Sequence, residues 1–423
     1  MSSSNVNLRP NRASLGLASM AWRNLWRNRR RTGITLAGIV FGILLSVVIT
    51  GMTNGTYSQM IDYAAHLGSG HVAIQHAARL NTPTVEHSVR LAPDLRDQTR
   101  AHREVEAVLP RISCAALLAT ADGNAGIRAL GIDTTLETET TLPLLKSLRS
   151  PSERALPRDG IWIGETLREN LGTRPGRKVV LTVTDRHGEV VSILARVAGI
   201  LDTGAPTVDG ALAILPASTL QRALGYAPDV FTTHAVMLDS HDEAQAVTEW
   251  LNTRLPAPSR AFRWDQIQPD LAAFIAADGA TGILIQAIVL LLLGAGVFNT
   301  LLVSVMERAR EFGILRALGF APANVFALVA WESLWLAMTG ILAGALLTTW
   351  PYHHLAVHGI DMSGMIQAGS EVSGVAMQPI LPVRVTLTQV GRIALVVLGA
   401  TMLAGLYPAW RASRLEPAAS IRR

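Results

Sequence analysis

Apolar residues collect in four blocks along the chain, near residues 34–50, 282–305, 333–350 and 391–406. Each approaches or exceeds the roughly 18–20 residues that a helix needs to cross the hydrocarbon core of a bilayer. Between the first and second blocks the pattern changes. Alternation of apolar and polar positions predicts strands in "GHVAIQ", "KVVLTVTD", "VVSILARVAGI", "GALAILP" and "THAVMLD". Helical spacing appears in "PASTLQRALGY" and in "HDEAQAVTEWLNTRL", the second opening with Asp242 and Glu243, where carboxylates suit the helix dipole. The expected fold is an α-helical four-span transmembrane domain with a large α+β extracytoplasmic domain inserted between spans 1 and 2. That domain holds at least two sheets' worth of strands, expected to divide near the linker 136–160.

Arginine sets the orientation, because basic residues in short flanks stay in the cytoplasm. "WRNLWRNRRRT" precedes the first block, "ERAREFGILRALGF" follows the second and "WRASRLEPAASIRR" follows the fourth. Four crossings satisfy all three. The expected boundaries are a basic amphipathic cytoplasmic segment 1–31, a first span 32–52, an outer α+β domain of two subdomains 53–278 and a second span 279–306. A cytoplasmic coupling helix 307–321 follows, then a third span 322–350, an outer loop 351–389, a fourth span 390–408 and a cytoplasmic tail 409–423. The first block reads as an uncleaved anchor, since its apolar run is long and no A-x-A site follows. Ahead of it, Leu15, Met20, Trp22, Leu25 and Trp26 lie among arginines, as in a helix at the membrane interface or in a basic topogenic tail.

Composition agrees with a membrane protein: 49% of residues are hydrophobic and 16% charged. The net charge of +5 comes with arginines clustered at span ends, so it encodes topology and excludes a nucleic-acid interface. A single cysteine, Cys114, rules out an intrachain disulfide. His66, His71 and His76 recur every five residues, which fits neither a strand face nor a helix face, and read as surface histidines. His354 and His358 have helical i, i+4 spacing but lack the glutamate of a zinc-peptidase motif, and read as interfacial. No G-x-x-x-x-G-K-[S/T] phosphate loop, no G-x-S-x-G and no paired-cysteine motif occurs, so the chain is not expected to be an enzyme or to bind a metal or cofactor.

The connection between the second and third blocks is more elaborate than a loop requires. Glu307, Arg308, Arg310 and Glu311 place opposite charges at i, i+3, which supports a helix beyond the membrane. Gly313 weakens that helix and marks an expected turn; Gly319 is placed as a C-terminal cap, and Pro322 fits the first turn of the next helix. A short capped helix between two spans can transmit force. Glu332, inside the third block, is expected to face nearby arginines at the interface. Gly38 with Gly42, and Gly340 with Gly344, form small-xxx-small faces for helix packing, within one chain or between two.

The stretch from Asn299 to Gly344, "NTLLVSVMERAREFGILRALGFAPANVFALVAWESLWLAMTGILAG", resembles the signature of FtsX-like, MacB-type permeases of type VII ABC transporters. "YPAWRASRLEPAASIR" is similar to their closing motif, and the stretch from Gly164 to Tyr226 to part of their outer domain. "RNLWRNRRRTGITLAGIVFGI" and "GTYSQMIDYAAHLGSGHVAIQH" look most like the lipoprotein-releasing LolC and LolE type. The resemblance implies a bacterial inner-membrane location, a separate ABC ATPase subunit that carries ATP and Mg, and a second permease copy or homologous permease. It further implies that Glu307, Arg308, Arg310, Glu311, Phe312, Gly313, Leu315, Arg316, Leu318 and Gly319 form the element that docks on the ATPase. Lipoprotein or lipid-linked cargo passed to a periplasmic chaperone is the leading expectation, with membrane lipid as its surroundings. The alternatives are MacB-like efflux of amphipathic small molecules or peptides, and mechanotransmission without transport to a partner such as a wall hydrolase.

Overall fold

The computed structural model describes residues 10–154, 156–363, 371–372, 375–376 and 380–415. The start of the expected N-terminal segment, the centre of the 351–389 connection and the tail beyond Leu415, with most of the closing motif's second half, lie outside the described residues. The chain divides into two compact units, one formed by 1–56, 278–360 and 381–423, the other by 57–277 and 361–380.

Two helices open the chain, Pro10–Arg27 (α1) and Arg29–Leu67 (α2). Strands β1 (Val72–His76), β2 (Val105–Ala119), β3 (Asn124–Ile132) and β4 (Gly160–Gly164) follow, with α3 (Pro93–Arg100) between β1 and β2. Next come α4 (Glu165–Asn170), β5 (Lys178–Thr184), β6 (Val190–Leu201), α5 (Pro206–Ala211), β7 (Leu212–Pro216), α6 (Ala217–Leu224), β8 (Thr233–Leu238), α7 (Ala244–Asn252) and β9 (Ser259–Arg263). The chain closes with α8 (Trp264–Ile267), α9 (Pro269–Glu307), α10 (Ala309–Ala317), α11 (Pro322–His358) and α12 (Leu387–Ser413).

In the first unit, α2, α9, α11 and α12 are long and apolar enough to cross a membrane. Each extends past the span expected from the sequence on at least one side, α2 by fifteen residues to Leu67. Their shared core joins Ile39, Ile43 and Val47 to Val297, Leu301, Leu336, Ile393 and Val397. Other apolar side chains face outward: Ile283, Leu291, Leu346 and Trp350 are each more than 70% exposed. So much exposed hydrocarbon suits lipid rather than water. The small residues pack within the chain. A Cβ on Gly340 would lie 2.6 Å from Ile39, one on Gly344 2.6 Å from Ile43, and one on Gly42 would collide with Leu293. Only Gly38 of the four has open space beside it.

The second unit is a continuous sheet in the order β3-β7-β4-β6-β5-β2-β8-β1-β9. Because β2 also pairs with β3, the first six strands close into a barrel. Its interior is filled by residues such as Ile112, Leu118, Ile161, Ile163, Leu181, Val197 and Leu215. Residues 112–119 of β2 belong to the barrel, while its other end pairs with β8 and extends into the open sheet with β1 and β9. The two subdomains therefore meet along β2, not at the linker 136–160 as the sequence suggested. That linker packs Leu142, Leu144 and Leu148 onto the barrel's outer face beside Trp162, so its apolar residues anchor it to one subdomain.

Among the histidines, His71 departs from the surface reading: it is 2% exposed. Its Nε2 lies 3.1 Å from Asp62 Oδ1 and its Nδ1 accepts from the Leu238 amide, so a polar network within the fold accounts for its burial. Cys114 lies in the barrel core, where burial pushes its thiol up to about 11 and holds it in the unreactive protonated form.

Candidate functional site

The element between the second and third long helices is helix α10, set off from α9 by one non-helical residue, Arg308 (φ −100°, ψ 13°). The helix breaks there and not at Gly313, which is helical and buried. A glycine's cost of ~1 kcal/mol inside a helix is too small to place a break against several ion pairs. Those ion pairs gather at Arg308. Its Nη1 donates to Glu332 Oε1 at 2.8 Å and its Nε to Glu311 Oε2 at 3.2 Å. Glu332, buried on α11, also accepts from Asn24 Nδ2 of α1 at 2.9 Å. Arg27 reaches Glu311 at 2.6 Å, and Arg31 reaches Glu307 at 2.6 Å and Ser304 Oγ at 2.7 Å.

The far end of α10 is closed by backbone geometry. Gly319 takes φ +95°, its amide bonds to the Arg316 carbonyl at 3.1 Å, and the Phe320 amide bonds to the Leu315 carbonyl at 3.0 Å. This paired closure is a Schellman motif and requires the left-handed conformation that glycine adopts at least cost. Pro322 then occupies the first turn of α11, where a missing N–H leaves no bond unmade.

The two faces of α10 have different surroundings. Phe312 is fully buried among Ala21, Val305, Val325, Leu328, Val329, Ala409 and Ala412, and Leu315 packs half-buried against the same cluster. Arg316 turns back to the end of α12, donating to the Ser413 carbonyl at 2.8 Å. Phe312, Leu315, Arg308 and Arg316, expected from the sequence to meet a partner, are thus engaged by the chain itself. The outward residues are Arg310, Ile314, Ala317 and Leu318, spaced i, i+4, i+7, i+8 on one stripe, with Leu318 76% and Ile314 45% exposed. Arg310 has no ion pair among the described residues; of the two expected i, i+3 pairs, Arg308–Glu311 forms while Glu307 turns to Arg31.

Glu311 is pulled below the ordinary carboxylate range, first by its bond to Arg27, against partial desolvation and with help from Arg308. It therefore stays ionised well into acid. In the sequence, Asn24, Arg27 and Arg31 lie in a basic flank that reads as an interfacial helix or a topogenic tail. Asn24 and Arg27, at i, i+3 on α1, and Arg31, in the first turn of α2, are the signal that could have tied this flank to the connection. The rest of α1 agrees: Trp22 meets Trp335 edge-on at 5.2 Å, and Trp335 Nε1 donates to the Ala18 carbonyl at 3.0 Å. No cluster of three or more histidine, cysteine or acidic side chains able to hold a metal occurs among the described residues.

Residues 32–254 match the family model of the MacB-like periplasmic core domain, and residues 283–417 that of the FtsX-like permease C-terminal region. The lipoprotein-releasing system transmembrane protein LolC of Neisseria meningitidis serogroup B is 25% identical over 409 residues, which covers 92% of this chain and 94% of LolC. The pyoverdine export ATP-binding/permease protein PvdT of Pseudomonas putida is 25% identical over 411 residues, covering 94% of this chain and 58% of PvdT. The periplasmic region of MacB from Actinobacillus actinomycetemcomitans aligns with 48% of this chain and 92% of its own length, at 13% identity and a TM-score of 0.32. With the MacB-like periplasmic core domain spanning over half of its length and the FtsX-like region at its C-terminal end, this chain belongs to the MacB-like family and is an ABC-transporter permease of the MacB, FtsX and LolC type.

Proposed function

We propose that the chain is the permease subunit of a type VII ABC transporter, driven by a separate ATPase that binds ATP and Mg. Four membrane crossings would place α10 in the cytoplasm and the sheet unit in the periplasm of a bacterial inner membrane. The observation that carries this reading is the division of α10 into two faces. One face is fixed to α1, α9, α11 and α12 by Phe312 and the Arg308 ion pairs, and the other offers Arg310, Ile314 and Leu318 to solvent. A helix held in this way passes a push on its outer face to the bundle. A second permease copy or a homologous permease would complete the transporter, and Gly38, with open space beside it, is the member of the glycine set free to meet another chain.

The proposed cargo is a lipoprotein or lipid-linked molecule taken from the membrane and handed to a periplasmic chaperone, a reading supported by the near full-length similarity to LolC. Similarity to PvdT over as much of the chain favours export of an amphipathic small molecule as the second reading. The test for coupling is Leu318→Glu in the assembled transporter. A carboxylate in the packed contact should lower ATPase retention by about thirtyfold, equivalent to ~2 kcal/mol at an interface anchor, with the bundle still folded. Wild-type ATPase retention and wild-type transport would overturn the docking surface. Release of a radiolabelled lipoprotein from spheroplasts, compared with export of a small amphiphile, separates the two cargo readings.

A further inference from the structure

Two arginines of the sheet unit, Arg79 and Arg111, are buried, and both have partners. Arg111 meets Glu137 and three backbone carbonyls; Arg79 donates to the carbonyls of Thr84 and Ser113. Arg128 has no hydrogen bond and no carboxylate partner among the described residues. It stands on β3, opposite Leu212 of β7 and Ala115 of β2, and projects into a cavity of about 360 Å³. The side chain is exposed, and its charge faces the mouth of that cavity. An unpaired guanidinium beside an apolar cavity leaves its N–H groups available to an oxyanion that enters there.

The cavity's other walls are mainly hydrocarbon. Leu67 at the end of α2, Val208 of α5, Leu212 of β7 and Ile267 of α8 line it, with Ser69, Thr207 and Gln268 as polar neighbours, Gln268 donating to the Ala64 carbonyl. Its volume lies within the range of sites that enclose small ligands, and an apolar wall with a few polar groups is their usual chemistry. We propose that this cavity binds an anionic amphiphile, with a carboxylate or phosphate group paired to Arg128 and hydrocarbon laid along Leu67, Val208, Leu212 and Ile267. A guanidinium suits both oxyanions because its N–H groups form a planar fork matched to paired oxygens. A zwitterionic or cationic amphiphile lacks that match. The site lies wholly in the sheet unit and is separate from the α10 surface, so it goes beyond the coupling reading and does not depend on it.

The test uses the full chain in nanodiscs and three photoactivatable probes: diazirine-bearing palmitic acid, diazirine-bearing phosphatidic acid and the neutral diazirine-bearing hexadecanol. Adducts are mapped by mass spectrometry to the cavity peptides 64–69 and 207–212. The expected result is capture of at least one anionic probe on these peptides, about tenfold above hexadecanol, with the better of the two identifying carboxylate or phosphate as the natural group. Arg128→Met should abolish that preference and Arg128→Lys should retain part of it, with unchanged thermal unfolding in both. Ala211→Trp, which fills the cavity and leaves Arg128 in place, should lower capture of every probe there. The proposal is overturned by equal capture of hexadecanol, by an anionic preference that survives Arg128→Met, or by labelling confined to other peptides. Loss of transport on Leu318→Glu with the anionic preference intact would show that the two readings stand independently.

Discussion

Among the described residues, Arg111–Glu137 of the sheet unit and Arg308–Glu332 of the helical unit are the least exposed arginine–carboxylate pairs, and the two are built differently. In the sheet unit, Arg111 and Glu137 are 1% and 2% exposed, and the guanidinium meets both carboxylate oxygens, at 2.8 and 3.1 Å. Its remaining donors go to the carbonyls of His66, Gly68 and Thr141, and Thr141 Oγ1 donates to Glu137 at 2.8 Å. In the helical unit, Arg308 divides its bonds between Glu332 and Glu311, with Asn24 sharing the Glu332 oxygen. Backbone acceptors hold the first pair in one arrangement. The second uses side-chain acceptors alone, drawn from different helices, and these can re-form after a shift that would leave a fixed carbonyl without a partner. A sheet-unit pair held by backbone and a helix junction held by side chains would suit the proposed coupling, in which a push on α10 moves the bundle.

The largest effect is expected where the pair is sealed. Glu137→Gln leaves Arg111 buried with its carboxylate counter-charge gone and should destabilise the sheet unit by about 3–5 kcal/mol. Denaturant unfolding of the full chain, followed by the fluorescence of buried Trp162, measures this, and a change below ~1 kcal/mol would remove the distinction between the two pairs.

A smaller effect is expected at the junction, since Glu311 and Asn24 remain to accommodate a change. A cycle of Arg308→Gln, Glu332→Gln and the double variant should give a coupling energy of roughly 0.5–3 kcal/mol, with the ATPase still bound but less responsive to cargo. Strict additivity would show that Arg308 and Glu332 do not act as a unit.

The smallest effect is acid sensitivity at Glu311. Its folded-state pKa is depressed, so its contribution is complete above the ordinary carboxylate value near ~4.3 and is lost only as pH falls through the lower folded value. Neutral to mildly acidic pH should therefore leave the α1–α10 contact unchanged. Arg27→Gln removes the largest cause of the depression and should move the acid transition up toward the ordinary range, as read by proteolysis of the 307–321 connection against pH. Identical profiles for wild type and variant would show that the Arg27–Glu311 bond, half exposed as it is, does not hold the two helices together.

Much of the plan of this molecule was legible in local sequence because it depends on local physics. Long apolar blocks report the helices that face lipid, since backbone groups in hydrocarbon must be satisfied within the segment itself. Gly319 and Pro322 reported the end of one helix and the start of the next because the left-handed cap and the proline-tolerant first turn are set by single residues. Strands β5, β6 and β8 were visible as alternating or β-branched runs. Strand β2 was not: buried on both faces from Val108 to Ile112 and interrupted by Pro110, it shows no period of two, although it joins both subdomains.

The sequence by itself determined the four apolar helices, the large inserted α+β region and a capped helix between the second and third of them. Only the tertiary structure decided which side of that helix is free. Phe312 and Leu318 are both apolar and six residues apart, and nothing local distinguishes them; the bundle buries the first and leaves the second exposed because α1, α9, α11 and α12 converge on one face of α10. The same holds for Asn24, Arg27 and Arg31, whose partners lie more than 270 residues away in sequence. Local composition can state that a charge or a hydrocarbon is present, but its partner is fixed by packing between segments that meet only when the chain is folded.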